Sequence, residues 1–461
     1  MKRDRGPAPS NNHSFDGAAR AGKRGERRLA PDMDTASSWR RDSGNASPGV
    51  GGLQSLGVQV NRVEKPPTEK EARQILAQAF QDRQTVFPFG GGTSLSSGVM
   101  LERVDLALDT TGMDRVLDFD PRNLNLEVSA GMTLDQINEF LAGQEKGFFL
   151  PLDPPGARRA TIGGAYAANS SGPMRLRYGT LRDLVLGVRG IDSRGRDVAF
   201  GGKTVKNVSG YDLTKFLIGS AGSLCLITSV AIRVYPLPEA SLLCDLIFET
   251  LEEVEKFLAA LRSSVFIPSA VAMTELAGGP GVSDTAGIRF RVRIGFEGHR
   301  LAVERQNKDL PKLAGEFGGF GDARTDRDGM LRGIRSAVDP DRPFENPLFL
   351  KITVPIAQGP RTFTSIHKAA QQYGLPAKLV LCAANGLIFL YIGEAHWNTA
   401  GELLRDLKDL ISTAGGYLAP LLGHRSLFAS WGARVEPALH QLVFQPIKER
   451  LDPTGVFPPI V

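Results

Sequence analysis

The stretch FPFGGGTSLSSG, Phe87 to Gly98, sets three consecutive glycines directly after an apolar run and follows them with hydroxyl residues. Residues without a Cβ take positive φ freely, and successive N–H groups can then turn into one concavity that holds an anion such as a pyrophosphate. Thr93 and Ser94 would add hydroxyl donors to it. A tight turn competes with this reading and needs no ligand at all. A Walker loop does not compete, because no Lys follows the glycines at the required spacing, and the Gly-x-Gly-x-x-Gly dinucleotide fingerprint is also missing.

Outward from the glycines, the chain alternates between element types. Val86 to Phe89 reads as a short strand running into them. Ahead of it, TEKEARQILAQAF opens with Thr68 and Glu71 at capping-box spacing and places Ala72, Ile75, Leu76, Ala79 and Phe80 on one helical face. Downstream, Thr133 and Gln136 start a second helix with Leu134, Ile137 and Leu141 on its buried side. Strands alternating with helices predict an α/β region.

Two further segments are rich in small residues. The first, Asp153 to Val198, holds Gly163-Gly164, small residues up to Gly172, then Tyr178-Gly179-Thr180, and two strands joined through Asp192 to Arg196. The second, Gly201 to Pro238, supplies Gly219 and Gly222 ahead of an apolar strand, Leu226 to Val234. Three surfaces that let backbone approach closely imply one extended, flat ligand.

Length and charge bound the rest. A chain of 461 residues exceeds what one core serves and predicts two domains. No run of about 18 apolar residues offers a membrane span. Cys225, Cys244 and Cys382 are scattered, without pairing or metal-ligand spacing, so they read as reduced, buried thiols and point to a cytoplasmic setting. The formal charge of +5 is mostly local: residues 1–50 hold ten Lys and Arg against six Asp and Glu. That removes the case for nucleic acid and leaves a basic tail, residues 1–52, without apolar periodicity and expected to be disordered. Its arginines suggest a transit peptide, its acidic residues argue against one, and Met33 offers an alternative start.

The motifs PFGGGTSL, TIGGAYAANSSG…RYGTLRDLVLGV and VKNVSGYDLTKFLIGSAGSLCLITSVAIRV, in that order, resemble the FAD-binding domain of the vanillyl-alcohol-oxidase, or PCMH-type, flavoproteins. Among these, the chain is most similar to the E subunit of bacterial glycolate oxidases. The resemblance implies a two-subdomain FAD-binding domain over residues 53–238, followed by an α+β cap over residues 239–461 whose C-terminal segment returns to the FAD domain. By it, Gly90, Gly91, Gly92, Thr93, Ser94 and Leu95 would hold the FAD pyrophosphate. Thr161, Gly163, Gly164, Asn169, Ser170 and Gly172 would line the pocket between subdomains, with Arg177, Tyr178, Gly179 and Asp183 forming the next motif. Gly219, Gly222 and Ile227 would lie against the adenine or isoalloxazine end. Read without the family, Arg177 and Asp183 are simply a local ion pair.

Some relatives attach flavin covalently through His or Cys, but no histidine lies between His13 and His299 and no cysteine precedes Cys225, so non-covalent FAD is expected. In the cap, GIRFRVRIGF alternates strictly, with Ile288, Phe290, Val292 and Ile294 on one side and Arg289, Arg291 and Arg293 on the other. Those arginines either clamp a substrate carboxylate or form a solvated face. Sister subunits that oxidise 2-hydroxy acids carry a His-bearing metal segment where this chain has Ala383, Ala384, Asn385 and Gly386, so no metal is expected. His299, His367, His396, His424 and His440 are scattered and form no ligand pair. The resemblance therefore implies glycolate or another 2-hydroxy acid as substrate, a homologous FAD subunit and an iron–sulfur subunit as partners, and association with the membrane through them. Two rivals stay open: a stand-alone lactate-type dehydrogenase using Arg289, Arg291, Arg293 or His424, and a flavoprotein subunit without turnover.

Overall fold

A computed structural model gives the fold for residues 48–97, 101–202, 213–276, 289–324, 326–339, 348–393, 397–428 and 440–459. The tail through residue 47, Ile288, His396 and the side chain of His440 lie outside the described residues. Helix Pro48–Ser55 opens the described chain ahead of Leu53, where the sequence reading began the folded region. Its Leu53 packs with Phe87, Phe89 and Leu95 around the glycine-rich turn.

The glycines follow the edge strand of a three-stranded parallel sheet, ordered Gln59–Glu64, Arg103–Asp109, Val86–Phe89. Parallel strands need a crossover, and helix Glu69–Gln81 provides it. The Thr68 hydroxyl accepts from the N–H of Glu71 at its start, and Ala72, Leu76 and Ala79 are buried, as the helical periodicity predicts. A five-stranded antiparallel sheet follows, ordered Val116–Asp120, Asn125–Ser129, Leu226–Arg233, Val185–Ile191, Asp197–Gly201. Helix Leu134–Ala142, with its full Thr133–Gln136 capping box, sends Leu134, Ile137 and Leu141 into the core of that sheet.

The second half is an eight-stranded antiparallel sheet running from Ala240–Phe248 to Tyr417–Leu422. One face is covered by helices Leu251–Ser263, Arg300–Gly315, Gly359–Gln372 and Trp397–Thr413. The opposite face carries Phe349, Val380, Cys382, Leu387, Phe389 and Tyr391, partly covered by helix Arg327–Val338.

Several contacts join the halves, two of them extensive. Tyr178, Phe149 and Tyr235 pack edge-on, and the Tyr178 hydroxyl donates to Glu297 Oε2 at 3.0 Å. Arg327 sits over the Phe149 ring at 4.4 Å with its Nε 3.6 Å from Glu297 Oε1. At the C-terminus, helix Gln445–Leu451 returns the chain to the glycine-rich half. There the Lys448 ammonium, 7% exposed, donates to the carbonyls of Ser223, Phe457 and Pro458 and to Asp452. Asp452 in turn accepts from the N–H groups of Val456 and Phe457, and Val86 N–H donates to Val456 O. Pro458 is thus fixed through its carbonyl.

Candidate cofactor site

A cleft of about 720 Å³, its mouth included, opens between the two sheets of the first half. Its floor is the turn Gly90 to Leu95, and its walls are Thr161, Gly163 and Gly164 on one side and Ala221, Gly222, Cys225 and Ile227 on the other. Among the described residues, the N–H groups of Gly91, Gly92, Thr93 and Ser94 donate to no carbonyl. They are left for a ligand.

The glycines are required by close approach. A Cβ on Gly91 would lie 1.6 Å from Arg159 O, one on Gly90 2.1 Å from Thr161 Oγ1, and one on Gly163 2.6 Å from Ala130 Cβ. Gly92 has φ +71°. Around the cleft, Asn169 at φ 49° and Ala221 at φ 50° hold left-handed conformations without being glycine. Such strain persists only where the surroundings over-determine it, and it gathers at ligand sites. Here Ala221 N–H donates to Ala167 O and Gly219 N–H to Tyr166 O, tying the two walls together.

Among the described residues, no charged side chain lines the cleft. Its polar groups are backbone and the hydroxyls of Thr93, Ser94, Ser97, Thr110 and Thr161, set among Phe87, Phe89, Leu226 and Ile227. That donor set suits a long cofactor with a doubly charged bridge held by amides and flat apolar ends held by side chains. The residues fit FAD: Gly90 to Ser94 would hold the pyrophosphate, and the small residues of both walls admit the flat rings.

The sequence reading placed more residues here than the cleft brings together. Gly90 to Leu95, Thr161, Gly163, Gly164, Gly222 and Ile227 line it; Asn169, Ser170, Gly172, Arg177, Tyr178, Gly179, Asp183 and Gly219 do not. The turn of helix Arg175–Tyr178 carries Arg177 and Tyr178 to the cap, where Arg177 donates to Glu297 O. Asp183 is no ion-pair partner of Arg177 but a helix cap, accepting from the N–H and hydroxyl of Thr180. Gly172 is needed because a Cβ would sit 1.8 Å from Asp153 O. Conversely, Cys225 reads as core from its apolar strand and is found on the cleft wall, where burial pushes the thiol up to about 12. A thiol so held is a poor nucleophile, which favours a cofactor bound without a covalent link.

Of the three cap arginines, Arg291 and Arg293 are occupied, while Arg289 stands opposite Leu276 of the neighbouring strand. Arg291 Nε lies 3.2 Å from Asp245 Oδ1, Arg293 Nε 3.4 Å from Asp245 Oδ2, and Arg293 also donates to Gly333 O. This cross-strand carboxylate, 48 residues away from Arg293, was invisible to the alternation pattern. His424 stacks on Trp397 and contacts Ser426 Oγ at 2.8 Å, while His367 pairs with Glu275 inside the cap. Among the described residues, no three His, Cys, Asp or Glu side chains gather as metal ligands would.

Beside the walls, Asp153 is 2% exposed and accepts from Met174 N–H with both oxygens, at 3.2 and 3.1 Å. Burial pushes its carboxyl up to about 8 against the Met174 hydrogen bond and the Arg335 charge, so it is protonated at neutral pH. A folded pKa raised above the unfolded value means stability is fully present below pH 4 and declines as pH rises to about 8. Asp153→Asn removes the titration and keeps an acceptor for Met174. The wild type is expected to lose up to about 1.4 kcal/mol per pH unit relative to the variant across that window. Urea melts of both proteins at pH 5 and pH 8 check this; equal pH dependence would show the carboxyl ionising unhindered.

The fold is that of a PCMH-type FAD-binding domain followed by an α+β cap, and FAD is its cofactor: residues 60–201 match the FAD binding domain family. The relatives narrow the class. The chain is 29% identical to a D-lactate dehydrogenase of Archaeoglobus fulgidus over 406 residues, covering 86% of this chain and 90% of that protein. It is 39% identical to the glycolate oxidase subunit GlcE of Escherichia coli over 128 residues, covering 28% of this chain and 36% of that subunit. In structure it is similar to alkyldihydroxyacetonephosphate synthase, with a TM-score of 0.64 and 19% identity, over 86% of this chain and 76% of the other. That likeness concerns the fold.

Proposed function

We propose that this chain is an FAD-dependent oxidoreductase that oxidises the C–OH group of a small 2-hydroxy acid, glycolate to glyoxylate in the first instance. The observation that carries the reading is the backbone-lined cleft, most of whose lining falls within the matched FAD binding region. The similarity to D-lactate dehydrogenase over 90% of that protein supports the substrate class. When bound, the flavin supplies the two-electron acceptor for the hydride on the hydroxyl carbon. The chain's own part would be to hold the pyrophosphate on the amides of Gly91 to Ser94 and to admit the flat rings among Phe87, Ile227 and the alanine-rich wall.

The subunit role is the finer reading. We place the chain in a glycolate oxidase-like complex with a homologous FAD subunit and an iron–sulfur subunit, on the strength of the match to GlcE. Three cysteines in the whole chain are too few for a four-thiolate cluster, so an iron–sulfur centre in the complex would belong to a partner. The complex would be cytoplasmic and meet the membrane through its partners; among the described residues no helix is long and apolar enough to cross one. The extended match to the archaeal enzyme favours a second reading, in which the chain turns over by itself.

One experiment separates them. The purified chain should be yellow and release its flavin into the supernatant on acid precipitation. Anaerobic glycolate or D-lactate that bleaches the isolated chain supports the self-sufficient dehydrogenase, and bleaching only after the partner subunits are added supports the complex. Flavin that no 2-hydroxy acid reduces in either preparation rejects the proposal.

A further inference from the structure

A second cavity, of about 860 Å³ with its mouth included, opens where the cap meets the cofactor half, and it shares no lining residue with the FAD cleft. The cofactor half contributes Leu176 and Arg177 from helix Arg175–Tyr178. The cap contributes the end of helix Leu251–Ser263, the segment Phe266 to Pro268 and the turn at Ala383 and Ala384. The body of the cavity is apolar. Leu258 and Leu261 belong to the cap core and Phe266 packs on it, yet all three also line this space. Ile267, at the rim, is 66% exposed, which costs free energy until something apolar covers it. The small side chains of Ala383 and Ala384 leave room inside.

The charge on the lining has one sign. Arg177 and Arg262 are its ionisable side chains, and among the described residues no carboxylate lines it. Arg262, exposed in the last turn of its helix, makes no hydrogen bond or ion pair among the described residues. Arg177 gives an N–H to the carbonyl of Glu297 and lies 5.7 Å from the centre of the Tyr178 ring. Those contacts fix the guanidinium without neutralising it, and they leave donors over, since the group carries five. The Glu297 carboxylate feels the Arg177 charge, but its own oxygens are met by the Tyr178 hydroxyl and by Arg327.

We propose that this cavity binds an amphipathic monocarboxylate, a medium-chain aliphatic acid, with its carboxylate on Arg177 and Arg262 and its chain against Leu258, Leu261, Phe266 and Ile267. Charge-assisted hydrogen bonds recognise the head, and burial of apolar area holds the chain. A small polar anion would leave the apolar body uncovered, and a neutral chain would leave two guanidiniums unanswered. Because the lining comes from both halves, the ligand binds the docked cap and stabilises it there. This site goes beyond the oxidation proposed above and requires no turnover.

The test titrates decanoate into the flavin-saturated chain by calorimetry, with decanol and acetate as probes that lack the charge and the chain. Decanoate is expected to bind and to raise the melting temperature while the flavin spectrum stays unchanged. Decanol should bind about tenfold more weakly, and acetate not measurably. Arg262→Gln removes an exposed, unpaired charge, so the fold should be intact while decanoate binds about tenfold more weakly; Arg262→Lys should recover part of the affinity. Ala384→Leu should fill the space and abolish binding. The proposal is overturned if decanoate does not bind the wild type, if decanol binds as tightly, or if Arg262→Gln binds decanoate like the wild type. A folded, flavin-loaded Ala384→Leu with wild-type affinity would place the ligand elsewhere and overturn it equally.

Discussion

Gly91→Ala is expected to yield a folded protein that purifies almost free of flavin, with FAD affinity lowered about 100-fold or more, equivalent to roughly 2.7 kcal/mol. The added Cβ would lie 1.6 Å from Arg159 O and 2.5 Å from Arg159 C, both backbone atoms that cannot rotate aside. Either the glycine turn, which lines the cleft, or the segment at Arg159 and Ala160, which leads into the cleft residue Thr161, must move. A shift of an ångström in the turn misaims the amides of Gly91 to Ser94 together. Thr93→Ala serves as the comparison, since it removes one hydroxyl without moving backbone and should weaken FAD by roughly tenfold at most. Titration of the apo-proteins with FAD, followed by flavin fluorescence, gives both numbers. Wild-type affinity in Gly91→Ala would mean that the glycines only make a turn and that the cleft is not the cofactor's.

The contrast between local and long-range information explains what the sequence could tell. The strand Val86–Phe89, the helix capped by Thr68 and the helix boxed by Thr133 and Gln136 are written in adjacent residues, so spacing and hydroxyl positions are enough to find them. The alternation of the strand Arg289–Gly298 was legible for the same reason. What its arginines do was not, because Asp245 comes from another strand and only the register brings it opposite Arg293. Tyr178 and Arg177 were offered as cofactor residues because they match a motif of the family the chain resembles, yet Glu297, some 119 residues on, claims Tyr178 for the joint with the cap. Cys225 is buried core, as its apolar surroundings predict, and the cleft it also borders was not legible, because only the neighbouring backbone decides where a cleft opens.

Lys448→Met should destabilise the chain by about 3–5 kcal/mol, because it strips the counter-charge from a carboxylate that stays buried. The Asp452 side chain has no exposed surface, and its oxygens already accept from Val456 and Phe457 N–H; without the ammonium it would keep a full charge with no cation beside it. Burial lowers the Lys448 pKa and Asp452 opposes that shift, as expected for a pair that is stable only together. The same ammonium donates to Ser223 O, the residue after Gly222 on the cleft wall, so the loss should reach the cofactor. FAD is expected to bind at least several-fold more weakly to Lys448→Met. Added FAD should then raise its melting temperature less than that of the wild type at equal concentration. Lys448→Met/Asp452→Asn removes the orphaned charge while keeping one acceptor for the Val456 and Phe457 amides. It should regain part of the stability but not the affinity, since Ser223 O still lacks its donor. Chemical melts with and without FAD measure both quantities. A single variant within about 1 kcal/mol of the wild type would mean that water reaches Asp452, and the C-terminal segment would then be a cover on the cofactor half rather than a part of its wall.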